Sequence, residues 1–447
     1  MNEVKTHWND PYQLAPALPL GEDLEDLRDL ANDVITGSKD LEAKLAPETA
    51  EAVGDKLRII NSLFSNQIEG YYTTYLEIEK RLGQVEKDRV VVPISADKYA
   101  TELGSAHVKA EAEVVHLLAE HPHGNVSHPD FVRHIHRKFY SELPPEHQFT
   151  HSAGGFTEYP VMPGEFRDGP VHLSMAGGDS LPVGPETTPD LVANMNAFGQ
   201  IFDPDVFRGG EAKMIAAATG HAKLAWLHPF RDGNGRTIRL YTGLFMARCG
   251  VNCSNLWSLS RGLAESKGRY FTGLRISNPS PADKQGRLTF QSENTAAWCN
   301  IFLTLCKEQI AFMDKQLMLH TVNGRIDRFA ETELGTLLGK HKTDAGRTLR
   351  AVFASGHLER QEVYSGVLGG HGERTAQGII AELLKGGYLK SSSPRAALTL
   401  GLPPDALQAY FPRVYSESIM QAQEKASAAT VAPKKPRGAG SGFDLGG

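Results

Sequence analysis

The chain has 447 residues, of which 40% are hydrophobic and 22% are charged, and its formal net charge is −6. This length favours two or three domains, and the charge balance excludes a chain-wide basic surface for nucleic acid or anionic membranes. The four cysteines lie in apolar or helical segments and are predicted to be reduced, buried thiols. Neither an N-terminal signal segment nor a membrane-spanning apolar run is found, so we predict a cytoplasmic protein that does not cross a membrane.

Helical patterns dominate the first part of the chain. Apolar residues at helical spacing predict four helices, at 21–35, 56–70, 106–121 and 128–143. The glycine- and proline-rich segment 154–173, GGFTEYPVMPGEFRDGPVHL, breaks this rhythm and predicts a β-hairpin. The chain then passes through a proline-rich loop (181–190) into five further helical patterns, at 191–202, 211–227, 237–250, 268–275 and 294–317.

The composition changes near residue 330. Helical patterns at 357–368 and 373–389 precede SSSPRAALTLGL (391–402), which has the pattern of a short strand pair, and this order resembles a winged helix-turn-helix. The second helix offers three candidate DNA contacts, Arg374, Gln377 and Lys385, so DNA reading and protein docking are equally open for this part of the chain.

The segment HPFRDGNGRTIR, residues 228–239, lies between two predicted helices and concentrates chemically capable side chains. Gly233, Asn234 and Gly235 let the backbone turn successive N–H groups toward one point. The next helix adds its own unpaired first-turn N–H groups, which favours phosphate binding. Arg236 and Arg239 are three residues apart and share one face of that turn, where they suit the outer phosphates of a nucleotide.

Two further residues of this segment complete its chemistry. Asp232 would repel phosphate directly, but it suits a magnesium ion that bridges to phosphate oxygens. His228 is of a residue type whose pKa lies near neutrality, and it can accept a proton from an attacking hydroxyl. The segment therefore predicts transfer of a phosphorus-containing group from a nucleotide to an alcohol.

The same segment matches every fixed position of the signature His-Pro-Phe-x-Asp/Glu-Gly-Asn-Gly-Arg-x-x-Arg, and the chain in this respect resembles the Fic (filamentation induced by cAMP) family. MPGEFR (162–167) with VHL (171–173) resembles the flap hairpin with which that family binds its targets. YQLAPALPL, near the N-terminus, resembles the family's N-terminal region. The resemblance extends over residues 10–310.

This resemblance implies transfer of AMP from ATP to a Ser, Thr or Tyr hydroxyl of a target protein. His228 would be the base, and Asp232 would hold Mg²⁺ on the α- and β-phosphates. An acidic residue at 232 separates the chain from the Doc relatives, which carry lysine there and transfer phosphate. The residues expected at the nucleotide are Phe230, Gly233, Asn234, Gly235, Arg236, Arg239 and Tyr270, with Phe230 anchoring the loop. The residues expected at the flap are Phe166, Val171, His172 and Leu173.

These observations predict a mainly α-helical protein. It would contain a Fic-fold helical domain with a β-hairpin flap and a C-terminal winged-helix-like domain. The predicted division of the chain is an N-terminal helical region with an inhibitory motif (1–95), the Fic domain (96–325), the winged-helix-like domain (330–425) and a disordered tail (426–447).

Three residues near the loop have competing interpretations. His221 lies seven residues before His228 on the same helical face, and a metal site formed by these two histidines and Asp232 is conceivable. A hydrogen-bonding histidine is favoured, because no third neutral ligand is present. Tyr270, with its neighbour Phe271, could flank an adenine or belong to the core. Arg231 is predicted to be solvated.

One class of the Fic family carries an inhibitory helix with the pattern Ser/Thr-x-x-x-Glu-Gly/Asn, whose glutamate pairs with the second arginine of the loop. The pattern occurs twice, as SNQIEG (65–70) and TFQSEN (289–294). Glu69 would end an apolar-periodic helix with Gly70 as its C-terminal cap, where a carboxylate is unfavourable without a nearby cation. Glu293 would begin a helix, where an acid is stabilised locally. We therefore predict that Ser65 and Glu69 form the inhibitory motif and that Glu69 pairs with Arg239.

The function predicted first is a protein adenylyltransferase that Glu69 inhibits. A second enzyme function is the reverse one, hydrolytic removal of AMP from a protein, with Glu69 positioning water. A third possibility is a nucleotide-sensing, antitoxin-like regulator that reads DNA through residues 330–425. The target protein, its modified residue type and the formation of a homodimer stay open.

Overall fold

The protein is mainly α-helical, as the sequence predicts. The computed structural model describes residues 14–83, 98–150, 159–174, 180–280 and 288–414. The tail expected at 426–447 lies outside these ranges. The helices up to the hairpin are α1 (Glu22–Glu42), α2 (Pro47–Ile68), α3 (Tyr75–Arg81), α4 (Lys98–Glu120) and α5 (Pro129–Ser141). The next six are α6 (Thr188–Ile201), α7 (Gly210–Leu227), α8 (Asn234–Arg248), α9 (Leu259–Glu265), α10 (Lys267–Ile276) and α11 (Ser292–Leu317).

The core is organised around α7 and α8, which pack against each other. Helices α1 and α11 cover α7, while α4, α5 and α2 approach α8. The sequence predicts a buried face on α2, and Leu57, Ile60, Phe64 and Ile68 are all at most 3% exposed. Burial of side chains of this size contributes about 1.5–3 kcal/mol each. The long helix α2 is therefore held firmly beside the loop that joins α7 to α8.

The β-hairpin lies further along the chain than predicted. Its strands are β1 (Val171–Ser174) and β2 (Ser180–Val183), paired antiparallel with Val171 opposite Val183. Only the end of the predicted segment 154–173 enters a strand, and residues 154–158 lie outside the described ranges. The second strand comes from the region predicted to be a proline-rich loop. A proline is tolerated there because both strands of a two-stranded sheet are edges, so one backbone N–H can be lost.

The part of the chain after α11 combines helices with a small sheet. The helices are α12 (Leu319–Thr332), α13 (Gly335–Leu338), α14 (Lys342–Ser355), α15 (Arg360–Glu362), α16 (Glu373–Lys385) and α17 (Pro404–Tyr410). Three strands, β3 (His357–Leu358), β4 (Leu389–Lys390) and β5 (Leu398–Leu400), form an antiparallel sheet in the order β3-β5-β4. The strand pair expected within 391–402 is displaced, since only β5 lies there. Helices α3, α12 and α14 were not predicted. The winged-helix assignment and the domain boundaries stay predictions.

Helix α2 contacts this C-terminal part at its own N-terminal end. Thr49 Oγ1 donates a hydrogen bond to the carbonyl of Phe353 at 2.9 Å, and Glu48 Oε1 lies 2.9 Å from Nδ1 of His357. The opposite end of α2, at Ile68, lies near the loop between α7 and α8. One helix therefore joins the C-terminal part to the candidate site.

Length and apolar character decide whether a helix can cross a lipid bilayer. In the described ranges, no helix is long and apolar enough to cross a membrane. The predicted compartment stays a prediction.

Candidate active site

The loop between α7 and α8 is set by two left-handed residues. His228 ends α7 with φ +48° and donates its N–H to the carbonyl of Leu224 at 3.1 Å. Gly233 begins α8 with φ +73°, a conformation that glycine adopts without cost. A non-glycine residue in this region is strained by roughly 1–2 kcal/mol, and such residues concentrate at functional sites. The left-handed backbone at His228 thus ends α7 and begins the loop.

Asn234 closes the loop through its side chain. Its Oδ1 accepts the N–H of Phe230 at 2.9 Å, and its Nδ2 donates to the carbonyl of the same residue at 2.8 Å. Phe230 is fully buried and its ring stacks on His136, with centroids 3.8 Å apart. The expectation that Phe230 anchors the loop agrees with this packing. Asn234 was expected only as part of a backbone nest, and its role in closing the loop was missed.

We expect Asn234→Ala to destabilise the protein by about 1–3 kcal/mol, because the backbone N–H and carbonyl of buried Phe230 would lose their partners. Urea denaturation, monitored by circular dichroism, measures this change in the free energy of unfolding. Asn196→Ala is the matched control, since Asn196 is exposed on α6. Equal stability of the two variants would show that the side-chain bonds of Asn234 do not hold the loop.

Arg167 connects the loop to the base of the hairpin and was not predicted to do so. The residue is 1% exposed. Its Nε donates to the carbonyl of His228 at 2.8 Å, and its other nitrogens donate to the carbonyls of Gly169 and Pro185, each at 2.6 Å. Its own backbone N–H donates to the carbonyl of Pro229 at 2.9 Å. Burial lowers the pKa of Arg167 to about 10, so the group stays charged at neutral pH.

His136 links the loop to the segment before the hairpin, and this link was also missed. Its Nδ1 accepts the N–H of Gly164 at 2.8 Å, so the ring proton is on Nε2, which faces the carbonyl of Asp232 at 3.2 Å. Burial lowers the pKa of His136 to about 3, which keeps the ring neutral. Neither His136 nor Arg167 carries a sequence signal for its role, because their partners are distant backbone carbonyls and N–H groups.

Arg231 was predicted to be solvated, but its side chain is held by an ion pair. Its Nε donates to Oδ1 of Asp168 at 2.8 Å, and its guanidinium lies 5.1 Å from the ring centroid of Tyr159. The pair joins the loop to the segment before β1. The prediction was wrong because it considered Arg231 only within its own loop.

His228 has the geometry of a proton acceptor. Its Nδ1 lies 3.3 Å from the carbonyl of Ala225. A carbonyl only accepts hydrogen bonds, so the ring proton is on Nδ1 and the lone pair is on Nε2. Burial lowers the pKa of His228 to about 4, although the Ala225 bond and the charges of Glu69 and Asp232 oppose this shift. The imidazole is therefore neutral at pH 7, as a base requires.

His221 is a hydrogen-bonded core residue, which is the interpretation that the sequence favours. Thr242 Oγ1 donates to the carbonyl of Ile238 at 2.8 Å, so it accepts from His221 Nδ1 at 2.9 Å. The hydroxyl of Tyr270 then donates to His221 Nε2 at 3.0 Å. Both ring nitrogens are thus engaged, which leaves none for a metal ion. Tyr270 itself is 3% exposed, and its expected contact with the nucleotide stays a prediction.

Arg236 and Asp232 face each other at the start of α8. Arg236 is 2% exposed, and its Nε and Nη1 have no hydrogen-bond partner among the described residues. Its Nη2 lies 3.6 Å from Oδ1 of Asp232, which also accepts the N–H of Gly233 at 2.5 Å. A buried guanidinium with unused donors is costly unless an anion completes it. The Asp232 carboxylate is 29% exposed, so it is accessible to a cation at the mouth of the site.

Arg239 is held by both expected residues of the SNQIEG motif. Its Nη2 donates to Oε1 of Glu69 at 2.7 Å and to the carbonyl of Ser65 at 2.9 Å, and its Nε donates to Ser65 Oγ at 2.9 Å. The predicted contact between Glu69 and Arg239 is therefore present, across 170 residues of sequence. A second cation was missed. Lys267 Nζ donates to the carbonyl of Ile68 at 2.6 Å and so caps the last turn of α2.

The Glu69 carboxylate lies directly against the loop. A Cβ placed on Gly235 would lie 2.1 Å from Glu69 Oε1, so only glycine leaves room for this contact. Burial raises the pKa of Glu69, but the positive charges of Arg239 and Arg236 outweigh it and hold the pKa below its ordinary value. The carboxylate is therefore ionised at neutral pH and contributes to the site as an anion.

The second copy of the motif has a different setting. Glu293 lies in the first turn of α11 (Ser292–Leu317), as predicted. Its neighbour Ser292 donates its hydroxyl to Oδ2 of Asp23 on α1 at 2.8 Å. The helix context therefore distinguishes the two copies correctly, because only Glu69 ends a helix.

Of the expected flap residues, Phe166 contacts the loop and the other three lie in β1. Val171 begins β1, while His172 and Leu173 pair with Pro182 and Leu181 through the backbone register. The side chains of residues 172–182 are outside what the structure describes. Phe166 precedes the hairpin and packs toward the loop, with its ring centroid 5.7 Å from that of Phe230. The binding role of these residues stays a prediction.

The comparisons with known proteins converge on this loop and its surroundings. Residues 126–246, which include the hairpin and the loop between α7 and α8, match the Fic/DOC family. This segment of the chain is therefore similar to the Fic/DOC family, in agreement with the resemblance that the sequence predicts.

Particular relatives are similar over part of the same region. The chain is 38% identical over 95 residues to the protein adenylyltransferase Fic of Nematostella vectensis. The aligned segment covers 21% of this chain and 20% of that protein. It is 32% identical over 124 residues to the protein adenylyltransferase fic-1 of Caenorhabditis briggsae, which covers 27% and 21% of the two chains. The chain thus spans about a fifth of the length of these curated relatives.

Solved structures with similar folds include two bacterial proteins. One is a signaling protein from Bacteroides thetaiotaomicron that contains a Fic domain, with 18% identity, a TM-score of 0.47 and coverage of 66% of this chain and 96% of that chain. The other is a Fic family protein from Desulfovibrio desulfuricans, with 14% identity, a TM-score of 0.47 and coverage of 86% and 98%.

Proposed function

We propose that the protein is a protein adenylyltransferase, which transfers AMP from ATP to a hydroxyl of a target protein. The observation that carries this proposal is the assembled loop between α7 and α8. It places the free ring nitrogen of His228, the accessible carboxylate of Asp232 and the unsatisfied guanidinium of Arg236 around one helix N-terminus. The names of the curated relatives support the same activity.

The proposed step follows from these positions. The target hydroxyl oxygen attacks the α-phosphorus of ATP, the bond from that phosphorus to the β-phosphate oxygen breaks, and pyrophosphate leaves. His228 Nε2 takes the hydroxyl proton. Arg236 and the N–H groups at the start of α8 hold phosphate oxygens. Mg²⁺, which Asp232 would hold, would neutralise charge on the phosphates.

The function is tested with ATP labelled at different phosphates. A cell lysate is incubated with the Glu69→Gly variant and ATP carrying the label on either the α- or the γ-phosphate. We expect protein labelling from the α-label only, and mass spectrometry should find an AMP group on a Ser, Thr or Tyr side chain. Labelling from the γ-phosphate would instead indicate phosphate transfer and would contradict the proposal.

The same site supports a proposal of self-inhibition. In this proposal the Glu69 carboxylate occupies the position where the γ-phosphate of a productive ATP would contact Arg239. Three hydrogen bonds of Arg239, one donated by Nε and two by Nη2, go to Ser65 or Glu69. ATP would then bind only in an unproductive pose while this contact persists.

Removal of AMP from a modified protein is the second candidate. It is favoured by one observation, that the Glu69 side chain remains 33% exposed while it contacts Arg239. A carboxylate in that setting can orient a water molecule. Incubation with a target already carrying AMP separates the two functions, because only this second activity releases AMP from the target in a Glu69-dependent manner.

The low pKa of His228 predicts an unusual pH dependence. Folding lowers this pKa from about 6.5 to about 4, so the ring stays neutral, and able to accept a proton, well below pH 6.5. We expect the labelling rate of the Glu69→Gly variant to fall at acid pH, with a midpoint well below pH 6.5. The negative charge of Glu69 raises the pKa of His228, so removal of Glu69 cannot raise this midpoint. Initial rates between pH 4.5 and pH 8 measure this, because the interval includes about 6.5, the ordinary pKa of histidine. A midpoint at or above 6.5 would contradict it.

A further inference from the structure

Three ionisable side chains converge in the C-terminal part of the chain, far in sequence from the loop described above. His341 ends the 3₁₀ turn Gly339–His341, and Asp344 lies in the first turn of α14 (Lys342–Ser355). His371 lies between the helical turn Val363–Val367 and α16. One nitrogen of each histidine and one carboxylate oxygen all lie within 4.8 Å of one another. Two pieces of backbone, one with His341 and Asp344 three residues apart and one with His371, thus bring metal-ligand atoms together.

The distances within this cluster suit a small metal ion. Nε2 of His371 lies 2.7 Å from Oδ2 of Asp344, and Nδ1 of His341 lies 3.6 Å from the same oxygen. Ligand atoms at about 2.0–2.1 Å from a tetrahedral ion are about 3.3 Å apart. The two observed distances differ from this value by about 0.6 and 0.3 Å, and the two imidazole nitrogens lie within 4.8 Å of each other, so side-chain rotations would bring all three ligand atoms to the ion.

The second oxygen of Asp344 has its own neighbour. Arg347 Nη1 lies 3.6 Å from Oδ1 of Asp344 and 3.5 Å from the carbonyl of Val367. The arginine therefore approaches the carboxylate through Oδ1, whereas the two imidazole distances involve Oδ2. Partners of this kind commonly fix the direction of a ligating group. Its side chain is 52% exposed, so its charge is screened by solvent and opposes a cation only weakly.

The ligand types select the kind of ion. Two imidazole nitrogens and one carboxylate oxygen suit Zn²⁺ and its neighbours Co²⁺ and Ni²⁺, whereas Mg²⁺ and Ca²⁺ prefer oxygen ligands alone. The side chains of His341, Asp344 and His371 are 24%, 13% and 30% exposed. The cluster is accordingly sheltered but reachable from solvent, which leaves one coordination position for water.

We propose that His341, Asp344 and His371 form a binding site for a divalent transition-metal ion, with Zn²⁺ as its best-fitting occupant. The ion would fasten the loop before α16 to the start of α14. The alternative is a hydrogen-bonded cluster that binds no metal, in which His371 and Asp344 simply stabilise the fold. The two possibilities differ in metal uptake.

The test uses the full-length, metal-free protein titrated with Co²⁺, whose visible absorption reports nitrogen and oxygen ligation. Excess Mg²⁺ is present to fill sites built from oxygen ligands, such as the one expected at Asp232. We expect one equivalent of Co²⁺ to bind and Zn²⁺ to displace it. His371→Ala and Asp344→Asn should each weaken binding by at least about tenfold, the loss typical for a ligand or its support.

Two controls keep this test decisive. His116→Ala removes an exposed histidine that also has a carboxylate neighbour, Glu120 at 3.7 Å, but no third ligand among the described residues, and it should leave uptake unchanged. Circular dichroism of each metal-free variant shows whether it is folded, and His371→Gln, which keeps a polar side chain, replaces His371→Ala if that variant unfolds. Absence of a one-equivalent site, or equal uptake by the folded variants and the wild type, overturns the proposal.

Discussion

Replacement of Glu69 by glycine is expected to raise self-labelling with α-labelled ATP by roughly ten- to hundredfold. The variant loses the bond from Arg239 Nη2 to Glu69 Oε1, which is 2.7 Å long in the structure. A hydrogen bond between charged groups contributes about 1.5–3 kcal/mol, and each 1.36 kcal/mol corresponds to a factor of ten. Since Glu69 is one third exposed, the lower part of this range is expected.

The second copy of the motif supplies the control for this experiment. Glu293→Gly makes the same substitution in TFQSEN, where the glutamate lies in the first turn of α11. It should leave labelling at the wild-type rate. Ser65→Ala should have an intermediate effect, because Arg239 Nε loses its partner while the bond to Glu69 persists. A Glu69→Gly variant no faster than the wild type, or an equal rise in Glu293→Gly, would remove Glu69 from the inhibitory role.

Replacement of His228 by alanine in the Glu69→Gly background is expected to lower the labelling rate by about 10²- to 10⁴-fold, the range typical for loss of a general base. The affinity for ATP should change little, because the proposed phosphate contacts come from Arg236, Arg239 and the start of α8. Single-turnover labelling measures the rate, and equilibrium binding of ATP measures the affinity.

The control for this prediction is His116→Ala in the same background, which removes an exposed histidine far from the loop in sequence. It should retain the full rate. If His228→Ala keeps a rate close to that of its parent, the base is another group. If the His228→Ala variant instead no longer binds ATP, then His228 maintains the structure of the loop, and a role of His228 in proton transfer is not supported.

The loop could be predicted from the sequence because its chemistry is local. His228 and Asp232 lie in the loop between α7 and α8, the two arginines follow at the start of α8, and the Gly-Asn-Gly run specifies the backbone that presents them. The helical pattern of α2 was likewise readable, since its apolar residues recur on one face. Because the spacing of these residues along the chain is fixed, their relative positions in space follow from the sequence.

The contacts that hold this loop in place could not be predicted. Arg167 and His136 form hydrogen bonds with backbone groups of the loop. Because every residue has a backbone carbonyl, the sequence does not show which one is the partner. Lys267 caps α2 from 199 residues away. The hairpin was misplaced for a related reason, because its short strands carry prolines and glycines that are typical of loops. Glu69 and Arg239 could be paired only because a family pattern supplied the partner.

Helix α2 gives the inhibitory contact a thermodynamic connection to the C-terminal part of the chain. Its 22 residues span about 33 Å, from the contacts of Glu48 and Thr49 with His357 and Phe353 to the Glu69 end. If a ligand of the C-terminal part favours one position of this helix, its binding energy is coupled to that of ATP. Linkage is reciprocal, so ATP would then change the affinity for that ligand by the same factor as the ligand changes the affinity for ATP. The strength of inhibition would in that case be measurable from either end of the molecule.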